Sequence, residues 1–450
     1  MSPETRLLLV TLAGVLGLVG LVAGLRLHAF LALAVASLGV GLAAGLPPLE
    51  VARAFQDGVG ATLGLIVVVV GLGTMLGRML AESGGATVLA ETLVRRMGPR
   101  RLPWAVLFAS FLVAFPVFFA VGLVLLAPVV VGLARTTGTP MIRLALPLLA
   151  GLAVCHTLVP PHPGPVVAVG LLQADMGLTI LWATVIGLPT AALCGPFLTR
   201  FLERGIPPAP AGLGARLQPT STPARPPSPS IATLTILLPV GLMLLASGAD
   251  LLLPAAHPAR PWTAFAGAPL VAMLAAVLLS LHTFGTRCGF SRDQSLKFTE
   301  DCVGPAASIF LVVGAGGGFS RVLDVAGVDD ALAGWGAQLA LSPLLLAYVV
   351  AASLRVAVGS ATVAITMASA IVAPVAAVHP DVRPELLVVA LGAGTLTLSH
   401  FNDGGFWFVK EYFGLTVGQT FRTWTVMVTA ASLVALALVL LADRILRTLA

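Results

Sequence analysis

The stretches HTLVPPHPGP, from His156 to Pro165, and HFNDGGFW, from His400 to Trp407, are polar, Gly- and Pro-rich interruptions set in long apolar sequence. Hydrocarbon cannot satisfy free backbone N–H and C=O groups. Non-helical chain at membrane depth therefore persists only where it is buried in protein or lines a cavity. Two such breaks point to a polar site inside a membrane protein. Their first histidines lie 244 positions apart, and at that offset Pro140 meets Pro384 and Gly60 meets Gly304. The pattern is that of a duplicated transporter.

The composition agrees. Of 450 residues, 58% are hydrophobic and 10% charged, with 48 glycines and 33 prolines; the mean hydropathy is +1.02. Ordinary soluble domains carry roughly 25% charged residues, so this is an integral membrane protein. Apolar runs such as Leu7–Leu25, His28–Leu46, Leu63–Leu80, Leu102–Leu133, Leu144–Pro160 and Leu178–Phe201 are long enough to cross a bilayer. About 10 to 14 membrane segments are expected at about 20 residues each. Arg6 followed by an apolar run resembles a signal peptide but lacks a convincing cleavage site, so a retained first helix is expected.

The net charge of +6 is carried by short clusters between apolar runs, among them Arg95, Arg96, Arg100 and Arg101, then Arg287, Arg292 and Lys297. These report orientation under the positive-inside rule and imply no nucleic-acid partner. Cys155, Cys194, Cys288 and Cys302 show no paired spacing, which favours inert core residues over a disulfide framework or a metal site. No nucleotide-binding loop, nucleophile elbow or zincin motif is present, so neither an ATP-driven pump nor an enzyme is supported and no cofactor is implied.

Residues 203–230, rich in Pro and Ser, read as a loop joining a first membrane repeat (1–202) to a second (231–450). The expected fold is all-α and polytopic: two repeats with broken helices and re-entrant, hairpin-like Gly-rich segments beginning at Gly60 and Gly304. Basic loops fall at non-equivalent places in the two repeats, as at Arg95–Arg101 against the uncharged Leu339–Leu345. Inverted topology is therefore expected.

Ionisable residues at membrane depth are costly and by default functional. Asp403 is a candidate for the group that binds a coupled proton, with His400 and His156; its alternative role is to cap the helix expected to begin near Phe406. Gly404 and Gly405 allow close backbone approach to an anion. His156 and His162 flank Pro160, Pro161 and Pro163, so this segment is expected to be extended rather than helical. Ser360 and Thr362, in a second interruption after Arg355, supply small hydroxyls for a polyol or carboxylate or, alternatively, for close helix packing. Arg355 itself reads equally as a counter-charge for an anion and as a side chain snorkelling to the interface. Lys410 and Glu411 read as a structural ion pair.

At HTLVPPHPGP, GSATVA, SHFNDGGFW and VKEYFGLTVGQTFRTWTVM the chain closely resembles the GntP gluconate permease family, within the ion transporter superfamily. The resemblance implies proton-coupled uptake of gluconate or a related sugar acid across the bacterial inner membrane, and it marks His156, Pro160, Pro161, His162, Pro163, Gly164, Ser360, Thr362, His400, Asn402, Asp403, Gly404 and Gly405 as the motif positions. Two positions depart from that family's pattern: Ala120 stands where an acid often follows a Phe-Phe or Phe-Tyr pair, and Val358 where a glutamine commonly precedes Gly-Ser-Ala-Thr. The expected partners are a small anionic sugar acid, a proton and the lipid bilayer; homo-oligomerisation is left open. A sodium-coupled carboxylate carrier of the same superfamily and a passive channel or scaffold are the alternatives.

Overall fold

The structure, a computed structural model, describes residues 3–203, 225–301, 303–328, 331, 342–379, 381–400 and 403–449. Cys302, Asn402, Asp329, Asp330, part of Leu339–Leu345 and most of the Pro/Ser-rich tract lie outside the described residues. Among those described, all regular structure is helical, and eight helices are long and apolar enough to cross a membrane. Five shorter apolar helices accompany them. Four of the five, Leu102–Ala114, Pro343–Val358, Ala361–Ala377 and Pro384–Thr395, flank interruptions of the helical chain.

The chain opens with α1 (Pro3–Val19), α2 (Ala29–Ala44), α3 (Pro48–Glu82) and α4 (Gly85–Met97). Next come α5 (Leu102–Ala114) and α6 (Phe119–Thr137), parted at Pro116, then α7 (Met141–Leu158) and α8 (Pro163–Leu171), and α9 (Met176–Ala192) with its short continuation α10 (Leu198–Leu202). After the tract follow α11 (Pro229–Leu252), α12 (Arg260–Gly267), α13 (Pro269–Ser280), α14 (Arg292–Asp301) and α15 (Val303–Val325). A second broken pair, α16 (Pro343–Val358) and α17 (Ala361–Ala377), precedes α18 (Pro384–Thr395), α19 (Gly404–Phe413), α20 (Val417–Thr420) and α21 (Val426–Leu449).

Two expectations need correction. The first Gly-rich segment is not a re-entrant hairpin: Gly60 sits inside α3, a continuous helix of 35 residues, and Gly304 lies within α15. The glycines of α15 serve packing instead. A Cβ on Gly317 would meet Thr62 Oγ1 at 1.9 Å, and one on Gly58 would meet the Gly317 carbonyl at 2.4 Å, so α3 and α15 lie backbone to backbone. The stretch from His156 to Pro165 is also more helical than expected. His156 occupies the last turn of α7, and the break is confined to residues 159–162, which contain the cis bond between Pro160 and Pro161. Pro163 then starts α8, because proline at the first helical position lacks only an N–H that would have no partner anyway.

Depth in the bundle follows the same logic of small residues. In the span from Met141 to Leu171, 89% of the apolar window is buried inside the protein, against 6% for α1. Helices α7 and α8 are therefore the central elements and α1 lies on the outside of the bundle. Close approach is enforced where a Cβ has no room: on Gly392 of α18 it would lie 2.4 Å from the Thr157 carbonyl, and on Gly164 of α8 it would lie 2.4 Å from Ile365 Cγ2 of α17. Helix α8 packs on α17 and α19 packs on α6, so each chain segment that follows a polar break inserts among helices from the other end of the sequence.

Candidate functional site

Six helix ends meet around one cavity of about 380 Å³, the starts of α6, α17 and α19 and the last turns of α7, α16 and α18. The last turn of α7 contributes His156 and Thr157, and the last turn of α16 contributes Arg355. Gly359 turns the chain through a left-handed conformation, φ 83°, which glycine adopts without a Cβ clash. Ser360 then caps α17, its hydroxyl accepting from the Val363 N–H at 3.4 Å. Asp403 caps α19, accepting from the Gly405 N–H at 2.8 Å. The capping role foreseen for Asp403 is thus realised, with the helix starting at Gly404 rather than near Phe406.

The cap is also half of an ion pair. Arg355 Nη2 donates to Asp403 Oδ2, with the two side chains only 6% and 12% exposed. Arg355 Nη1 donates to the Gly359 carbonyl, while its buried Nε has no hydrogen-bond partner among the described residues. Arg355 therefore does not snorkel. The Ser399 hydroxyl donates to the same Asp403 oxygen and accepts from Trp424 Nε1 at 2.6 Å, and Thr425 Oγ1 donates to the Ser399 carbonyl at 2.5 Å. This network ties the second break to a π-helical turn, Phe421–Thr425. Among the described residues lining the cavity, Arg355 is the one formal cation and Asp403 the one acid.

Of the residues singled out in the sequence, His156, Arg355, Ser360, Thr362, Asp403, Gly404 and Gly405 line this cavity together. Gly405 does so with its N–H already committed to Asp403. Three candidates stand behind the wall. His162 is buried, its Nδ1 3.2 Å from His156 Nδ1, so at least one of the two rings is neutral there and accepts. Gly164 packs against Ile365, and Pro161 is half-buried in the break. His400 turns away and places Nε2 3.1 Å from the Val356 carbonyl. Asn402 lies outside the described residues. Lys410 and Glu411 pair with each other at 2.5 Å away from the cavity.

Sequence reading missed the apolar frame. Phe118, Phe119, Phe408 and Trp424 wall the cavity, with Thr157 and Thr395 adding hydroxyls. Phe119 and Trp424 rings lie 5.4 Å apart, and Phe118 stands 6.2 Å from His156. The signal was present for three of them: Trp424 falls within the long matching stretch FRTWTVM, and Phe118-Phe119 precede the departing Ala120. Ala120 and Val358, the two departures, both line the cavity. A larger cavity of about 500 Å³ lies where α8 and α17 end, between them and α3 and α15. Its charged residues, Arg321 and Asp324, form an exposed pair within one helix, so the smaller cavity is the one that holds buried charge chemistry.

Comparison with known proteins agrees along the whole chain. The chain is 44% identical to the gluconate permease of Pseudomonas aeruginosa over 447 residues, covering 99% of each protein. It is 45% identical to the gluconate permease of Zymomonas mobilis over 440 residues, 97% of this chain and 98% of that protein. It is also 37% identical to the D-serine transporter DsdX of Escherichia coli K12, covering 92% of each. Among solved structures, the YdaH transporter of Alcanivorax borkumensis superposes with a TM-score of 0.65 at 19% identity, over 92% of this chain and 96% of that one, a likeness of fold. The model of the family described as GntP family permease matches residues 6–445, and the chain belongs to that family: it is a multi-pass membrane permease rather than an enzyme.

Proposed function

We propose that this permease is a secondary active symporter that imports gluconate or a closely related small sugar acid, coupled to protons, across the bacterial inner membrane. One observation carries the substrate class: a cavity of about 380 Å³ with one cation, Arg355, and a set of small hydroxyls, Thr157, Ser360, Thr362 and Thr395. A polyhydroxy monocarboxylate needs one counter-charge and several hydroxyl partners, and ligand pockets commonly span about 300–1,000 Å³. The substrate names of the relatives at 44% and 45% identity point the same way. Asn402, by its position in the motif, belongs to the same set of hydroxyl partners. Coupling to protons rests on Asp403, His156 and His400, the ionisable residues of the two breaks.

Transport follows from the arrangement of halves. Two inverted repeats, 1–202 and 231–450, would cradle the anion at their junction, and movement of one against the other would expose the cavity to either side in turn. Uptake by proteoliposomes tests both parts. Gluconate should accumulate under an inward pH gradient and not under a sodium gradient at equal pH. Accumulation driven by sodium alone would assign the protein to sodium-coupled carboxylate transport, and flux without saturation or trans-stimulation would make it a channel. Gluconate should also raise the melting temperature of the purified protein more than neutral sugars of the same size.

A further inference from the structure

The proposed anion site already contains an anion. Arg355 and Asp403 cancel each other within the cavity wall, and no second formal cation lines it among the described residues. A monocarboxylate entering the cavity finds its counter-charge taken and would change the local charge from zero to minus one. Burying an uncompensated charge is unfavourable unless it is paired or neutralised. Binding therefore requires a partner change and a compensating positive charge.

We infer that the substrate carboxylate displaces Asp403 from Arg355, and that the displaced carboxylate binds the transported proton. The inference rests on the sugar-acid reading of the cavity. One ion pair breaks, an equivalent one forms between Arg355 and substrate, and an O–H bond forms on Asp403 with a proton from water; net charge is zero before and after. Anion and proton thus load in equal number because charge balance demands it.

The surroundings suit this exchange. The Gly359 carbonyl anchors Arg355 through Nη1, so the guanidinium can change partner at Nη2 without moving, and its unpartnered Nε offers an extra donor for a bidentate grip. Asp403 keeps the Gly405 N–H after release. Ser399 now donates to Asp403 while accepting from Trp424, and a hydroxyl has a second lone pair with which to accept the new Asp403 O–H. The groups around Asp403 can be named element by element. Helix α16 supplies Arg355 and α7 supplies His156, itself bonded to His162. The break supplies Ser399 and His400, the latter bonded to the Val356 carbonyl. Helix α6 presents Phe118, Phe119 and Ala120, and α17 presents Ser360 and Thr362. On α19 itself, Lys410 and Glu411 pair with each other. His156 is the rival proton acceptor.

Calorimetric titration of purified full-length protein with gluconate, in buffers of different ionisation enthalpy, counts protons taken up on binding. The expected result is about one proton per gluconate, with Kd weakening about tenfold per pH unit once Asp403 is ionised before binding. Asp403→Asn should bind gluconate with no proton uptake and a Kd nearly independent of pH; in proteoliposomes it should exchange gluconate but not accumulate it on a pH gradient. Asp403→Glu keeps the acid and should retain proton uptake, which guards against Asp403→Asn failing to fold. Gluconate binding to the wild type without proton uptake overturns the exchange while leaving the substrate reading intact, and undiminished uptake in Asp403→Asn overturns it in favour of His156. Absence of any gluconate binding by the wild type overturns the sugar-acid reading, and the exchange with it.

Discussion

Asp403 holds three partners at once: the Gly405 N–H, the Ser399 hydroxyl and the Arg355 guanidinium. Removing one member of a buried ion pair strands the other, at a cost of about 3–5 kcal/mol, whereas removing both is often nearly neutral. Arg355→Met should accordingly destabilise by about that amount, and Arg355→Met combined with Asp403→Asn should recover most of it. Thermal unfolding in detergent checks this; equal melting temperatures for the single and double variants would contradict the pairing. Glycines make a second prediction at this scale. An added Cβ meets the backbone carbonyl of Thr157 at Gly392 but a side-chain methyl, Ile365 Cγ2, at Gly164, which can give way by a shift of the side chain without moving a backbone group. Gly392→Ala should therefore lower the melting temperature more than Gly164→Ala, with overpacking worth about 1–3 kcal/mol at the former.

Helix ends, rather than helix faces, carry the chemistry of this protein. Two of the breaks place a side-chain cap at the cavity, and the caps differ in kind: a hydroxyl at Ser360 and a carboxylate at Asp403. A third cap, Asp175, holds the start of α9 through the Leu178 N–H at 2.6 Å and accepts from Ser247 Oγ of α11 at 2.7 Å. Asp175→Ala should lose about 1 kcal/mol through the cap, typical of such substitutions, without altering the affinity for gluconate; a change in affinity would show that α9 and α11 act on the cavity. The positions of the breaks were legible, since Pro and Gly clusters in apolar sequence have few other uses. Their extent was not. Pro163 and Pro165 read as breakers but stand in the first turn of α8, where missing N–H groups cost nothing. The Gly-rich run around Gly60 read as a hairpin but forms one helix: Gly60, Gly64 and Gly71 have open space beside them, and the glycines that meet the neighbouring helix closely are Gly58 and those of α15.

At the level of the molecule, the central span α7–α8 is almost wholly enclosed, while α1 lies on the outside of the bundle. Alternating access predicts that a probe in the cavity reacts from water and that substrate shields it. Ala120 lines the cavity and is half-buried, whereas the native Cys155, Cys194 and Cys288 are buried. Ala120→Cys should react with a membrane-impermeant thiol reagent, and gluconate should slow that reaction several-fold. Labelling that gluconate leaves unchanged would place the substrate elsewhere, for instance in the larger cavity beside Arg321 and Asp324.

Composition and hydropathy alone determined that the chain is a helical membrane protein, because hydrocarbon admits only helices and closed barrels, and apolar runs this long and unalternating suit helices. The motifs also determined the family and seven of the cavity-lining residues. Tertiary structure decided which charges meet. Arg355 and Asp403 are 48 residues apart in sequence and belong to different helix ends, so no local rule could pair them. It likewise decided that His162 and His400 stand outside the cavity they border in sequence, and that Phe119 and Trp424, more than 300 positions apart, share one wall. Periodicity and turn chemistry act within a few residues; the choice of partner for a buried charge is made by the packing of whole helices.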